Sequence, residues 1–376
     1  MQAKDTLSRS KTGARQRGAS MAIHGVNLGN WLVLEKWMGA CPLAHAQAED
    51  DRAWIDEEDA TSRARLLEEH YRSYVTCETI AWLASVGVNL VRIPVPYHLF
   101  GTQHHIACVS HLDDAFDWAE RYGMGILLDL HTVPLSQNGF DNSGYTGLCS
   151  WSRGTRRMEW TLELLERLAA RYAGRRALWG IEPLNEPASK GVYVANFAKN
   201  RSYPTRVARS WPISHRRLEQ FYVRFYERVR PLVGPEVRLV FHDQFSLGAW
   251  DRFDPGRGDA NVWMDTHCYA AFSDAKMASR DLAGYLELVG TMAAKLERAA
   301  QHHPILVGEW CLANHATDLE ARTADELQEW YHTFSCAQLR AWDRVGGSCF
   351  WSLRVDAPYR ENWSFTTCVE RGWLEL

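Results

Sequence analysis

The chain has 376 residues, with 42 Lys+Arg against 46 Asp+Glu and a formal net charge of −4. That balance excludes the basic footprint of a nucleic-acid binder, and 46% hydrophobic with 23% charged residues excludes wholesale disorder. The mean hydropathy is −0.35 and no apolar run is long enough to cross a bilayer, so the sequence reads as globular, without a membrane span.

The first twenty residues are polar and basic, with Asp5 as their one acid. They lack the apolar core of a secretory signal, and we read 1–20 as a disordered basic tail before a single domain over 21–376. Nine cysteines, an odd number with no C-x-x-C pair, argue against a disulfide framework or a zinc cluster. The expected location is therefore the cytoplasm.

Beyond the tail, apolar β-rich runs fall at 25–32, 88–95, 124–131, 177–187, 237–243, 262–269, 304–311 and 347–353. Several are near-continuous, as strands covered on both faces are. Amphipathic patterns predict helices at 62–86, 111–122, 157–172, 214–229, 282–300 and 324–345. The link between the fifth and sixth runs is short and carries no helix, and 187–212 reads as a long loop. Eight strands alternating with helices predict an α/β fold, a (β/α)8 barrel. A doubly wound sheet is the competitor, but no G-x-G-x-x-G follows the first strand. Neither linker nor repeat divides the chain, which we read as one domain and a monomer.

In such a barrel the working groups gather where the strands end. Here those ends carry Arg92, His131, Asn185 with Glu186, His267 with Tyr269, Glu309, and Trp351. Carboxylates on strands four and seven would face each other across the mouth. That arrangement suits acetal cleavage, in which one carboxyl protonates the leaving oxygen and the other attacks the anomeric carbon. Pro187 biases Glu186 towards an extended backbone, and Asn185 is placed to bind a sugar 2-hydroxyl. Glu182 shares that strand a layer deeper and reads as structural. The pairs His104-His105 and His302-His303 lack ligand spacing and read as surface. Seventeen Trp supply flat apolar faces for sugars, with about half expected in the core. No P-loop, G-x-S-x-G or H-E-x-x-H motif is present.

Over about 23–365 the chain resembles glycoside hydrolase family 5, and within it the exo-β-1,3-glucanase-like branch. The matching stretches include 25–35, 91–94, 128–131, 136–144, 180–182, Asn185-Glu186-Pro187, His267/Tyr269/Phe272, 307–310 and Phe350-Trp351-Ser352. The resemblance implies a retaining double displacement with Glu186 as acid/base and Glu309 as nucleophile, needing neither cofactor nor metal. Arg92 and Tyr269 would hold Glu309 ionised, while the Glu186 carboxyl would be raised, with His267 beside it. His131 and Asn185 would bind hydroxyls of the sugar being cleaved, over a floor formed by Trp351. Glu35 and Asn142 would hold the non-reducing terminal glucose, and Phe140 and Phe272 would clamp the next sugar. The implied partner is a β-glucan oligosaccharide or a β-glucoside, cleaved from its end. An endo-β-glucanase of the cellulase type and a catalytically silent carbohydrate-binding barrel are the alternatives. The family usually has Gly where Asn30 stands, and the segments 132–135, 270–271 and 353–356 in the pocket wall also depart from its pattern.

Overall fold

The computed structural model describes residues 22–197, 202–319, 321–358 and 360–376; the basic tail expected over 1–20 lies outside them. Eight parallel strands close into a barrel in sequence order: β1 (Ile23–Asn27), β2 (Leu90–Val95), β3 (Gly125–Leu130), β4 (Leu178–Glu182), β5 (Arg238–His242), β6 (Val262–His267), β7 (Ile305–Trp310) and β8 (Gly347–Phe350). Closure pairs Ile23 with Gly347. Around it run α1 (Asp51–Glu57), α2 (Ala60–Tyr74), α3 (Cys77–Ser85), α4 (Val109–Tyr122), α5 (Thr155–Tyr172), α6 (Lys190–Phe197), α7 (Pro204–Ala208), α8 (His215–Val233), α9 (Leu282–Ala299), α10 (Ala324–Asp343) and α11 (Phe365–Glu370). Among the described residues no helix is long and apolar enough to cross a membrane.

The expected (β/α)8 barrel is present, and its differences from the expected elements have local causes. The helix expected over 62–86 is two helices. Val75 is extended, and Thr76 starts α3 with a reciprocal capping box to Thr79. The stretch expected to be a loop after the fourth strand carries α6 and α7, the latter opened by Pro204 at its first position. Between β5 and β6 the chain makes only a 3-10 turn, Leu247–Trp250. Strand β4 stops at Glu182 because Pro183 has no N–H to continue the ladder.

Strand alternation sorts the barrel interior into layers. The floor is apolar, with Ile23, Leu90, Leu127, Val240, Leu306 and Cys349 packed together. One step up from Leu90 and Leu127 come Arg92 and Asp129, which share a polar layer with Glu182 and Asp265, all fully buried. The larger apolar cluster fills the space between the sheet and the helices. Seven tryptophans, Trp31, Trp151 and Trp310 among them, are buried there or under the loops with under 2% exposure.

Candidate active site

Arg92 on β2 organises the upper half of the barrel. Its Nε donates to Glu182 Oε2 at 3.0 Å and its Nη1 to Asn27 Oδ1 at 2.9 Å and Glu309 Oε1 at 3.1 Å. Nη2 donates to Asn185 Oδ1 at 2.9 Å and lies 3.2 Å from Asp129 Oδ2. A guanidinium has a fixed fork of five N–H donors, which is why one residue can orient five groups from four strands and the loop after β4. Glu182 is a buried structural partner, as its depth implied.

Glu309 reaches this cluster through a break in strand regularity. Leu306 belongs to the interior floor, and Gly308 faces inward, so close to Asp265 that a Cβ there would collide with the carboxylate. Strict alternation would turn Glu309 outwards. The β6–β7 and β7–β8 registers shift at this point, and such irregularities re-aim side chains. The Gly308 N–H donates to Asp265 Oδ1 at 2.7 Å. Glu309 thus lies 3% exposed and also accepts the Tyr269 hydroxyl at 2.6 Å.

Glu186 follows β4 in a loop, and its backbone corrects the extended conformation expected before Pro187. Its φ is +45°, a left-handed geometry costing about 1–3 kcal/mol for a non-glycine residue. Pro187 disfavours the right-handed helical region, and contacts at both carboxylate oxygens hold the residue in place. Oε1 lies 2.8 Å from His267 Nδ1, and Oε2 accepts from Asn142 Nδ2 at 2.9 Å. Asn30, where the family usually has Gly, has φ +61°. Asparagine tolerates that region, and its side chain bonds Glu35 N and Gly39 O.

The twelve expected site residues converge on one cleft. Glu35, Phe140, Asn142, Glu186, His267, Tyr269, Phe272, Glu309 and Trp351 line a cavity of about 710 Å³, with Arg92, His131 and Asn185 fully buried beneath. His131 stacks on Trp351, with centroids 5.6 Å apart and planes at 9°. Glu35 accepts the Trp37 indole N–H at 2.7 Å through Oε2. Its buried Oε1 has no partner among the described residues, so a polar atom remains to pair with a ligand hydroxyl. Phe272 is 74% exposed at the rim, near Tyr269 and Trp363.

The charge pattern reverses the expected order of the two glutamates, a raised Glu186 and an ionised Glu309. Burial alone raises the Glu186 carboxyl, but the hydrogen bond and charge of His267 outweigh it and bring it down to about 2. Burial raises Glu309 above its ordinary value and Glu186 adds to this, against the pull of His267 and Arg92. Burial lowers the His267 imidazole, yet Glu309, Asp265 and Glu186 together hold it well above the usual histidine range. These directions favour the shared proton on His267, hydrogen-bonded to Glu186, over Glu186 itself.

Sequence reasoning missed Asp129 and Asp265, which orient the two histidines. Each lies two residues before its partner on the same strand face. Asp129 Oδ2 is 2.5 Å from His131 Nδ1, and Asp265 Oδ2 is 3.2 Å from His267 Nε2. The repeated Asp-x-His at two strand ends is the signal that finds them. Trp37, Asp141, Phe245 and Trp363 also line the cleft; Phe245 sits on a loop and the others in three-residue 3-10 turns, too short for any periodicity to point to them. His105, expected at the surface, is buried beside Asp51, because the loop after β2 folds back on the start of α1.

Comparison with known proteins agrees with this geometry. A model of the cellulase family (glycosyl hydrolase family 5) matches residues 55–353. Over 296 residues the chain is 33% identical to an Emericella nidulans protein named probable glucan 1,3-beta-glucosidase A, spanning 77% of this chain and 66% of that one, about two thirds of that relative's length. It is 28% identical to glucan 1,3-beta-glucosidase 1 of Schizosaccharomyces pombe, over 94% of this chain and 88% of that protein. Its fold is like that of rutinosidase from Aspergillus niger, with a TM-score of 0.73 at 21% identity over 94% and 98% of the two chains. With a family model matched over most of its length and a closed eight-stranded barrel, the chain belongs to the cellulase family, glycosyl hydrolase family 5.

Proposed function

We propose that the chain is a retaining β-glycosidase that removes glucose from the non-reducing end of β-1,3-type glucans or of β-glucosides. The observation that carries this reading is the gap between the two glutamates. His267 Nδ1 lies 2.8 Å from Glu186 Oε1 and 3.2 Å from Glu309 Oε2, so those two oxygens are at most about 6 Å apart. Retaining enzymes keep their carboxyls at about 5–5.5 Å, whereas inverting ones need about 6.5–9.5 Å to seat a water.

In the first step Glu309 attacks the anomeric carbon while Glu186 gives its proton to the glycosidic oxygen, and the aglycone leaves. The resulting glycosyl ester removes the charge of Glu309. In the second step Glu186 takes a proton from water, whose oxygen displaces Glu309 and releases the sugar with its configuration retained. His267, 2.8 Å from Glu186 Oε1, passes to Glu186 the proton that Glu186 delivers to the glycosidic oxygen. Asn185, oriented by Arg92, is placed for the hydroxyl whose bond strengthens in the transition state. Trp351 presents an apolar face to the ring.

End-on cleavage is supported by Glu35, whose free buried oxygen strongly rejects a chain that leaves it unpaired. The relatives' names support glucan as the polymer. Nine free cysteines suit a reducing compartment. The test is product analysis on laminarin-type and cellulose-type glucans and aryl β-glucosides. Glucose as the sole early product is expected; an early ladder of oligosaccharides would overturn the end-on reading.

A further inference from the structure

We propose that Asp51, His98 and His105, outside the glutamate cleft, form a binding site for a divalent transition-metal ion of the zinc or cobalt type. One ligand atom from each of the three lies within 4.8 Å of the others. His98 and His105 are both 7% exposed, and their rings stack with centroids 3.8 Å apart and planes at 11°. His105 Nε2 lies 2.8 Å from Asp51 Oδ2, and its Nδ1 lies 3.0 Å from Thr102 Oγ1. The Asp51–His105 contact alone would be an ordinary buried ion pair. His98 makes the difference, because its Nδ1 is buried and has no hydrogen-bond partner among the described residues. A buried polar atom left unpaired in this way is unfavourable until a ligand meets it.

Two imidazoles and one carboxylate match the preferences of zinc-like ions, whereas magnesium and calcium favour all-oxygen shells. Metal ligation uses a neutral imidazole nitrogen, and His98 Nδ1 is a buried nitrogen left without a partner among the described residues. Thr102 fixes the orientation of the His105 ring, the supporting role that outer partners of metal-binding histidines commonly play. Arg63 donates to the Glu58 and His104 carbonyls, and its charge opposes an ion here, so affinity rests on the imidazoles. Bonds of about 2.1 Å bring tetrahedral ligands to about 3.4 Å of one another. Binding therefore draws the three side chains together and opens the stacked rings. An adjoining cavity of about 300 Å³, bordered by Tyr97, Thr132 and Tyr145, leaves room for water in the remaining positions.

An ion at this point would tie α1 to the loop after β2. Tyr97 N in that loop donates to Thr132 Oγ1 at 3.1 Å, and Asp50, beside Asp51, accepts from Thr146 N at 2.9 Å. The ion would thus brace the wall behind the cleft without touching the reacting sugar.

The test uses the full chain without a histidine tag, stripped by chelator and titrated with Co2+. Expected are visible absorption bands saturating at one ion per chain, displacement by Zn2+ and a higher Tm with Zn2+. His98→Phe keeps a flat ring but removes the donor nitrogens and is expected to weaken binding at least tenfold; Asp51→Asn, which keeps the shape, is expected to weaken it as well. Glu186→Gln, which alters a second group of Glu186, His242 and His267 with similar spacing, should bind Co2+ like the parent. No saturable binding, unchanged binding in both His98→Phe and Asp51→Asn, or loss of binding in Glu186→Gln would overturn the proposal.

Discussion

His267 Nδ1 stands 2.8 Å from Glu186 and 3.2 Å from Glu309, so a single ring nitrogen couples the charge states of both glutamates. A proton on this imidazole cannot be moved without changing the field at each carboxylate. Its other nitrogen is held by Asp265 at 3.2 Å, which also accepts the N–H of Gly308 beside Glu309. The acid/base side and the nucleophile side of the cleft are therefore oriented by one continuous hydrogen-bonded chain.

Substituting either glutamate separates their roles. Glu186→Gln and Glu309→Gln are each expected to lower kcat/KM on an unactivated β-glucoside by a factor of about 10³ or more, equal to roughly 4 kcal/mol. With an activated aryl leaving group, Glu186→Ala should retain the first step, and added azide should restore turnover to a product of retained configuration. Azide acting on Glu309→Ala should instead give inverted product. Retained configuration from the Glu309 variant would reverse the assignment.

The resting location of the proton has its own consequence for pH dependence. The falling alkaline limb of kcat/KM reports loss of the proton shared by His267 and Glu186 in the free enzyme. His267 is raised well above the usual histidine range by its three carboxylates, so this limb is expected above neutral pH. In His267→Gln the proton must sit on Glu186, a buried carboxyl, and the alkaline limb should move to lower pH. Profiles on an aryl β-glucoside check this; a limb that does not move would place the shared proton elsewhere.

What could be read from the sequence follows the barrel's physics. Strands covered on both faces are continuous apolar runs, and the polar residues that interrupt their ends, such as Arg92, His131 and Glu309, stand out against them. The backbone at Glu186 was not legible, because it follows from a loop anchored by His267 and Asn142, both distant in sequence. Nor was the inward turn of Glu309, which depends on register shifts between neighbouring strands. The helix break at Val75-Thr76 could be inferred only from a capping pair inside an otherwise periodic stretch. The reversed charge order of the two glutamates depends on distances to one imidazole, which no spacing along the chain reveals.

Arg92 is expected to matter to stability as well as to catalysis. Its five donors meet Asn27, Asp129, Glu182, Asn185 and Glu309 with no exposure to solvent. Removing one member of a buried charge cluster leaves the others uncompensated and typically costs about 3–5 kcal/mol. Arg92→Met should therefore lose that much unfolding free energy in urea melts and show little activity. Arg92→Lys keeps the charge but not the fork, so it should recover part of the stability and little of the activity. Full activity in Arg92→Lys would mean that orientation of Glu309 and Asn185 does not depend on the guanidinium.

A last prediction concerns stability in acid. His70 on α2 is 7% exposed, with Nε2 2.8 Å from the Asn30 carbonyl and its ring 4.9 Å from that of Tyr74. Burial lowers its imidazole to about 4, against the backbone hydrogen bonds that favour the charged form. The unfolded chain takes up a proton here below about pH 6.5, while the folded chain does not until about pH 4. Across that window the unfolded state binds more protons, so stability rises with pH. The contribution is fully present above about pH 6.5 and is lost as pH falls, at about 1.4 kcal/mol per pH unit. His70→Gln can still donate to the Asn30 carbonyl but cannot titrate. It should be less stable than the parent at pH 7, with the gap in unfolding free energy narrowing by about 2 kcal/mol on going to pH 5. Other buried histidines, such as His98 and His242, respond to pH in both proteins and largely cancel in the difference. A gap that stays constant from pH 7 to pH 5 would show that His70 takes up its proton over the same pH range in the folded chain as in the unfolded one.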